Sequence, residues 1–401
     1  MKIVIFSTLL IIYSFNAFAQ EGELKVDTLG ALRTLSKEDM LLANARIQIE
    51  ATEAINDLYN FKFPKAERQF RWIKQKYQWH PLPYFLLGMS QWWKIAPAVE
   101  NLSFDNQFVA YMDTAIQKAN HLYKNGGNKA EAAFFLSASY ALKARLYSER
   151  SKWTKAAIES RNSLKYLDEV RGNADLSPEL LLGDALYNYY SVWIPDNYPL
   201  LKPILMFFPK GDQQLGVKQL YEVAHNAFYT RTEAQLFLMR ILSQDENRPS
   251  EAMQISEYLA QTFPDNAYFQ RYYARMLYTM GRHRETEKVS LDIMHKIDSG
   301  MVGYEANSGR YAGFFLGQIY QNNGDIDNAK KYYSRAVKFG EEIEAFETGY
   351  FLYSLLNLAE IAYYEENKKE AKNYLNQIKK YAKRKHPAHE RARQFLKEKK
   401  F

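Results

Sequence analysis

The chain has 401 residues and no cysteine, which excludes structural disulfides, thiol catalysis and a lipid anchor on a cysteine. Its length exceeds what one compact core usually holds, so several domains or an elongated repeat array are expected. The net charge of +7 is local: residues 367 to 401 hold ten Lys and three Arg against three Glu and carry no recognised nucleic-acid motif, while the remainder is slightly acidic.

Residues 1–19 have the form of a secretory signal peptide. Lys2 precedes an apolar run from Ile3 to Phe15, and Ala17-Phe18-Ala19 supplies a small-x-small cleavage pattern, placing the mature start near Gln20. A periplasmic or secreted location follows as an expectation. Residues 20–45 form an extension and a first helix, with Ser36-Lys37-Glu38-Asp39 as a capping box that starts a helix near Lys37. A hairpin over about 47 to 80 comes next. Its second helix begins near Pro64 and buries Ala66, Phe70 and Ile73 at the spacing of one helix face.

A second hairpin opens at Pro81 with Leu87-Gly88 and Trp92-Trp93, and its second helix runs from Asn101 to Tyr123 with Phe104, Phe108, Met112 and Ile116 in line. Asn125-Gly126-Gly127-Asn128 makes a turn before long helices over Ala130–Ser148 and Trp153–Glu169. Another first helix starts near Leu182-Gly183. The segment 193–209 then contains Pro195, Pro199, Pro203 and Pro209 among apolar residues, which forbids one continuous helix and asks for burial or a partner. Units near 233–266, 267–300, 310–343 and 352–385 follow, and a basic capping helix occupies 386–401.

Equivalent positions in these hairpins recur at a fixed distance. Ala54 and Gly88 lie 34 residues apart, as do Arg240 and Ala274, while Gly317 and Ala359 lie 42 apart across an insertion. A second alanine often stands twelve positions on, as at Ala66, Ala252, Ala329 and Ala371. The clearest unit reads Leu316-Gly317-x-x-Tyr320, Gly324, Ala329, Tyr333 and Ala336. That unit resembles the tetratricopeptide repeat (TPR) pattern, a helical hairpin whose small residues admit a neighbouring helix and whose large ones fill the space between. Arg240 stands where the family has a small residue. The Phe63-Pro64-Lys65-Ala66-Glu67, Phe85-Leu86-Leu87-Gly88, Trp92-Trp93 and Phe208-Pro209-Lys210-Gly211-Asp212 runs also resemble the eukaryotic tetratricopeptide repeat protein 39 family.

The resemblance implies an all-α, TPR-like α-solenoid, a right-handed superhelix of antiparallel helix pairs with longer hairpins in the middle. Residues 46–230 form its N-terminal hairpins and 231–385 its C-terminal repeats. It further implies a concave groove lined by first helices, which carries Tyr268, Arg271, Arg275 and Tyr278, then Tyr311, Gln318 and Asn322, then Asn357 and Tyr363. Spacings of three and four put Tyr268, Arg271, Arg275 and Tyr278 on one helix face, where paired guanidinium groups suit a carboxylate. Phe85, Met89 and Trp92 offer an apolar patch in the N-terminal half.

Catalysis has little basis. His386 and His389 flank Pro387 with no second ligand cluster, paired acid and base carboxylates are absent, and there is no Gly-x-Ser-x-Gly, phosphate loop or His-Glu-x-x-His. No cofactor, catalytic residue or metal site is expected. The sequence therefore points to a non-catalytic adaptor of the bacterial cell envelope that binds a protein or peptide, acidic near Arg271 and Arg275, and no nucleic acid. The alternative is a module for envelope glycan or anionic lipid. Peripheral membrane contact and a homodimer remain open.

Overall fold

A computed structural model describes residues 40–125, 128–199 and 209–399. The signal segment, the capping box at Ser36 and most of the 193–209 insertion lie outside the described residues. Every regular element within them is helical, with no strand. The helices follow in chain order as α1 (Ala45–Tyr59), α2 (Phe63–Lys76), α3 (Leu82–Ile95), α4 (Asp105–Lys124), α5 (Lys129–Glu149), α6 (Trp153–Val170), α7 (Leu181–Asn197) and α8 (Gln213–Asn226). Then come α9 (Arg231–Gln244), α10 (Pro249–Thr262), α11 (Ala267–Thr279), α12 (His283–Asp298), α13 (Ala306–Asn322), α14 (Ile326–Glu342), α15 (Gly349–Tyr364) and α16 (Lys368–Tyr381). A single helix, α17 (Pro387–Glu398), ends the series. The fold is a TPR-like α-solenoid.

The chain divides into two compact units. Among the described residues, unit 1 holds those up to 58, in 62–92 and in 102–241, and unit 2 holds those in 59–61, in 93–101 and from 242 on. In unit 2 each helix from α10 to α17 packs on its successor, and the first helices α11, α13 and α15 also touch in sequence. That is the contact pattern of stacked hairpins, each covering an apolar stripe that its neighbour cannot bury alone. In unit 1 the pairs α4–α5, α5–α6 and α7–α8 pack in the same way.

Small residues set these approaches. Ala66, Ala252, Ala274, Ala329, Ala359 and Ala371 are fully buried, as are the large residues Phe70, Tyr333 and Leu375. Gly317 lies against the ring of Tyr333, so a Cβ there would collide with it. At Gly216 on α8 the obstacle is the backbone of α7, with an added Cβ falling 2.6 Å from the Tyr189 nitrogen and 2.8 Å from the Ala185 oxygen.

The boundaries differ from expectation in two places. Helix α4 starts at Asp105 and leaves Phe104 as its N-terminal flanking residue, because residues 93–101 belong to unit 2 rather than to a continuous hairpin. Helix α7 runs through Pro195 to Asn197; a proline in the last turn sacrifices little, and Trp193 and Ile194 beside it are buried.

Unit 1 carries buried carboxylates as structural acceptors. Glu179, on a short 3-10 turn over Pro178–Leu180, is 1% exposed. Its oxygens accept the backbone N–H groups of Phe228 at 2.5 Å, Tyr229 at 3.0 Å and Thr230 at 2.9 Å, and the Thr230 hydroxyl at 2.6 Å. Those donors precede α9, so a carboxylate remote in sequence organises a helix entry. Burial pushes the Glu179 carboxyl up, against four hydrogen bonds that favour its charged form. Glu131 acts alike on the chain entering α1: one oxygen accepts the Leu42 N–H at 2.6 Å and the other faces the His80 ring at 3.4 Å.

Candidate partner-binding site

The first-helix face of unit 2 gathers arginine and tyrosine. Helix α11 starts at Asn266, whose side chain accepts the Phe269 N–H at 3.1 Å, and this start aims Arg271 and Arg275 along one side. Arg271 is 5% exposed. Its guanidinium donates to the Pro97 carbonyl and to Ser308 Oγ, both at 3.3 Å, and lies between the rings of Tyr268 at 5.0 Å and Tyr311 at 5.6 Å. Its polar groups hold the 93–101 segment against α13, so Arg271 is a buried fastener of unit 2 rather than an open contact.

Arg275, one turn on, is half-buried. Its side chain forms no hydrogen bond and no ion pair among the described residues. The phenol of Tyr350, which its charge reaches, belongs to an aromatic cluster. Tyr278 stacks on Phe315 at 4.5 Å, Tyr311 meets Tyr350 edge-on at 4.6 Å, and Phe314 lies 4.9 Å from Tyr350. Burial pushes the Tyr350 phenol up to about 12, with Tyr311 adding to the rise while Arg275 and Arg310 oppose it, which puts both guanidinium groups within electrostatic reach of that phenol.

Arg310 is the site residue that the sequence reading missed. It is the fifth residue of α13 as Arg271 is the fifth of α11, but it stands seven before Gly317 where Arg271 stands three before Ala274, so the repeat register does not align the two. It is 6% exposed, donates to Thr348 Oγ1 at 2.6 Å and Asn307 Oδ1 at 3.0 Å, and leaves a buried Nε without a partner. Burial draws its guanidinium below the ordinary range, and Arg271 adds like-charge repulsion while Tyr311 opposes the fall. No carboxylate among the described residues comes within 4.0 Å of Arg271, Arg275 or Arg310. At longer range Arg271 acts on Glu305, whose carboxyl burial pushes up to about 7 against that pull, with Glu100 and Glu342 raising it further. Buried cations contacted only by neutral oxygens favour an anion that reaches them.

The other expected positions fall elsewhere. Gln318 and Gln321 are both hydrogen-bonded to the Tyr333 hydroxyl, Gln318 as donor and Gln321 as acceptor at 2.7 Å, so they serve the interior of their own hairpin. Asn322 is exposed at the end of α13 and Asn357 is half-buried on α15. Tyr363 packs on Phe395 of α17 at 5.4 Å, so the capping helix covers that end of the strip. In unit 1, Met89 and Trp92 are 7% and 2% exposed; Trp92 packs on Phe108 at 5.9 Å with Arg145 4.6 Å over its ring. They are core residues and present no face to a partner, while half-buried Phe85 packs on Phe135 at 5.6 Å. Among the described residues no group of three or more His, Asp or Glu is placed to hold a metal, and His386 Nδ1 accepts the Ala388 N–H at 3.1 Å.

Residues 314–339, from α13 into α14, match the tetratricopeptide repeat family model. That repeat is generally a non-enzymatic element of protein–protein interaction, and here it carries Phe314, Phe315 and Tyr333 of the aromatic strip. No curated protein matches the chain, and the likeness to the tetratricopeptide repeat protein 39 family receives no support.

Proposed function

We propose that the protein is a non-catalytic adaptor of the cell envelope whose first-helix face in unit 2 binds an acidic segment of a protein partner. The observation that carries the reading is Arg275: a half-buried guanidinium with no acceptor of its own, on the same helix as Arg271 and Tyr278, within electrostatic reach of the Tyr350 phenol and with no carboxylate in contact. A partner carboxylate at Arg275 gains a charge-assisted hydrogen bond in surroundings of low polarity, where such bonds are strongest. The aromatic cluster of Tyr350 supplies apolar area and edges for a peptide backbone. The envelope assignment rests on the leader-like residues 1–19.

The test uses affinity capture from envelope extract with the wild type, Arg275→Ala and Arg275→Glu. One defined partner is expected with the wild type, weakened roughly tenfold by Ala and abolished by Glu, as loss and then reversal of a charge-assisted contact require. Equal recovery by all three proteins would remove Arg275 from the interface.

A further inference from the structure

Helix α16 turns a row of lysines to solvent. Ala371, Leu375 and Ile378 are fully buried and fix its inner face. Lys369, Lys372, Lys379 and Lys380 are exposed on the outward side, spaced by three, seven and one, and Lys383, Arg384 and Lys385 extend the exposed basic surface past the C-terminus of the helix. The row itself carries no carboxylate and no aromatic ring. Lys369, Lys372 and Lys379 form no ion pair among the described residues; Lys383 meets Glu347 at 2.8 Å, and Lys380 lies 4.9 Å over the ring of Tyr381.

Some other exposed basic groups of unit 2 are neutralised by carboxylates, as in Lys330 with Glu365 at 2.6 Å and Arg248 with Glu251 at 2.6 Å. Helix electrostatics does not account for the row either. Cations suit the last turn, where Lys379 and Lys380 stand, but Lys368 and Lys369 occupy the first turn, where the helix dipole opposes them. Like charges one turn apart add repulsion. The residue type is also informative. Lysine is a hydrated point charge on a flexible stem, suited to a diffuse layer of anions, whereas ordered carboxylate or phosphate is better matched by the planar fork of arginine. Nothing in the row stacks on bases, which disfavours single-stranded nucleic acid.

We propose that the outward face of α16, with residues 382–385, docks on the anionic surface of a lipid bilayer. Contact is peripheral, and no described helix is long and apolar enough to cross a membrane. The headgroup layer supplies the counter-charges that the row lacks, and the attraction weakens as salt shortens its range.

The test is co-sedimentation of the full chain with vesicles of phosphatidylcholine alone or mixed with phosphatidylglycerol. Binding is expected only to the mixed vesicles, and it should be lost when ionic strength rises from about 0.1 M to about 0.5 M. The variant K369Q/K372Q/K379Q/K380Q, checked for unchanged helicity by circular dichroism, should bind the mixed vesicles roughly tenfold or more weakly. Arg275→Ala should bind like the wild type, which separates this surface from the partner face. No sedimentation with mixed vesicles, equal sedimentation with phosphatidylcholine, or binding that survives high salt would each overturn the proposal. The last three measurements need only the wild-type chain, so a variant that misfolds leaves the proposal exposed to refutation.

Discussion

Units 1 and 2 both bury charge, with opposite completeness. In unit 1 Glu179 is surrounded by four donors and Lys143 by two carboxylates, Asp113 at 2.8 Å and Glu159 at 2.6 Å. In unit 2 Arg271 and Arg310 meet only neutral oxygens, and Arg310 Nε meets none. A buried charge whose partners are complete is a fixture of the fold. One whose partners are incomplete retains attraction for something else. The same amount of burial therefore has a structural meaning in one unit and a recognition meaning in the other.

The largest effect that could break this comparison lies at Glu179. Its replacement by Ala leaves three buried N–H groups at the entry of α9 without an acceptor and should cost about 3 kcal/mol or more in urea denaturation. A loss under about 1 kcal/mol would mean that these groups find other partners and that the carboxylate is not a fixture.

Next comes a pH effect at Glu305. Its carboxyl is held above the ordinary 4.5, at about 7, so the folded state retains the proton more tightly than the unfolded chain. The stability this contributes is complete below pH 4.5 and is lost as pH rises through about 7. Glu305→Gln lacks that loss, so its stability relative to the wild type should rise by about 3 kcal/mol between those limits. A constant difference between variant and wild type across the window would show that Glu305 titrates as an ordinary surface acid.

The smallest effect sharpens the contrast. Arg310→Met replaces an incompletely partnered cation by an apolar chain of similar length, and stability should stay within about 1 kcal/mol of the wild type or rise. Partner binding should fall even so. A loss comparable to that at Glu179 would place Arg310 among the fixtures and erase the difference between the units.

The hairpins were legible because their signal is local: a small residue at Gly317, an alanine twelve on at Ala329 and a large ring at Tyr333 all lie within one repeat. Arg275 and Tyr278 lie one turn apart on α11, as their local spacing requires. Arg271 did not remain accessible, because the groups that bury it, Pro97 and Ser308, come from segments that helical periodicity cannot connect to it. Trp92 looked like a surface aromatic only while Phe108 and Arg145 were unplaced. Arg310 lies one turn before the position that matches Arg271 in the repeat, so the register alone did not mark it.

The most direct test of the account is photocrosslinking from a benzophenone side chain at position 278, in the wild-type background and in Arg275→Glu, followed by sequencing of the captured segment. The account predicts a single crosslinked segment containing Asp, Glu or a free C-terminal carboxylate, lost in Arg275→Glu. A crosslinked segment without acidic groups, or one captured equally by both proteins, would contradict it.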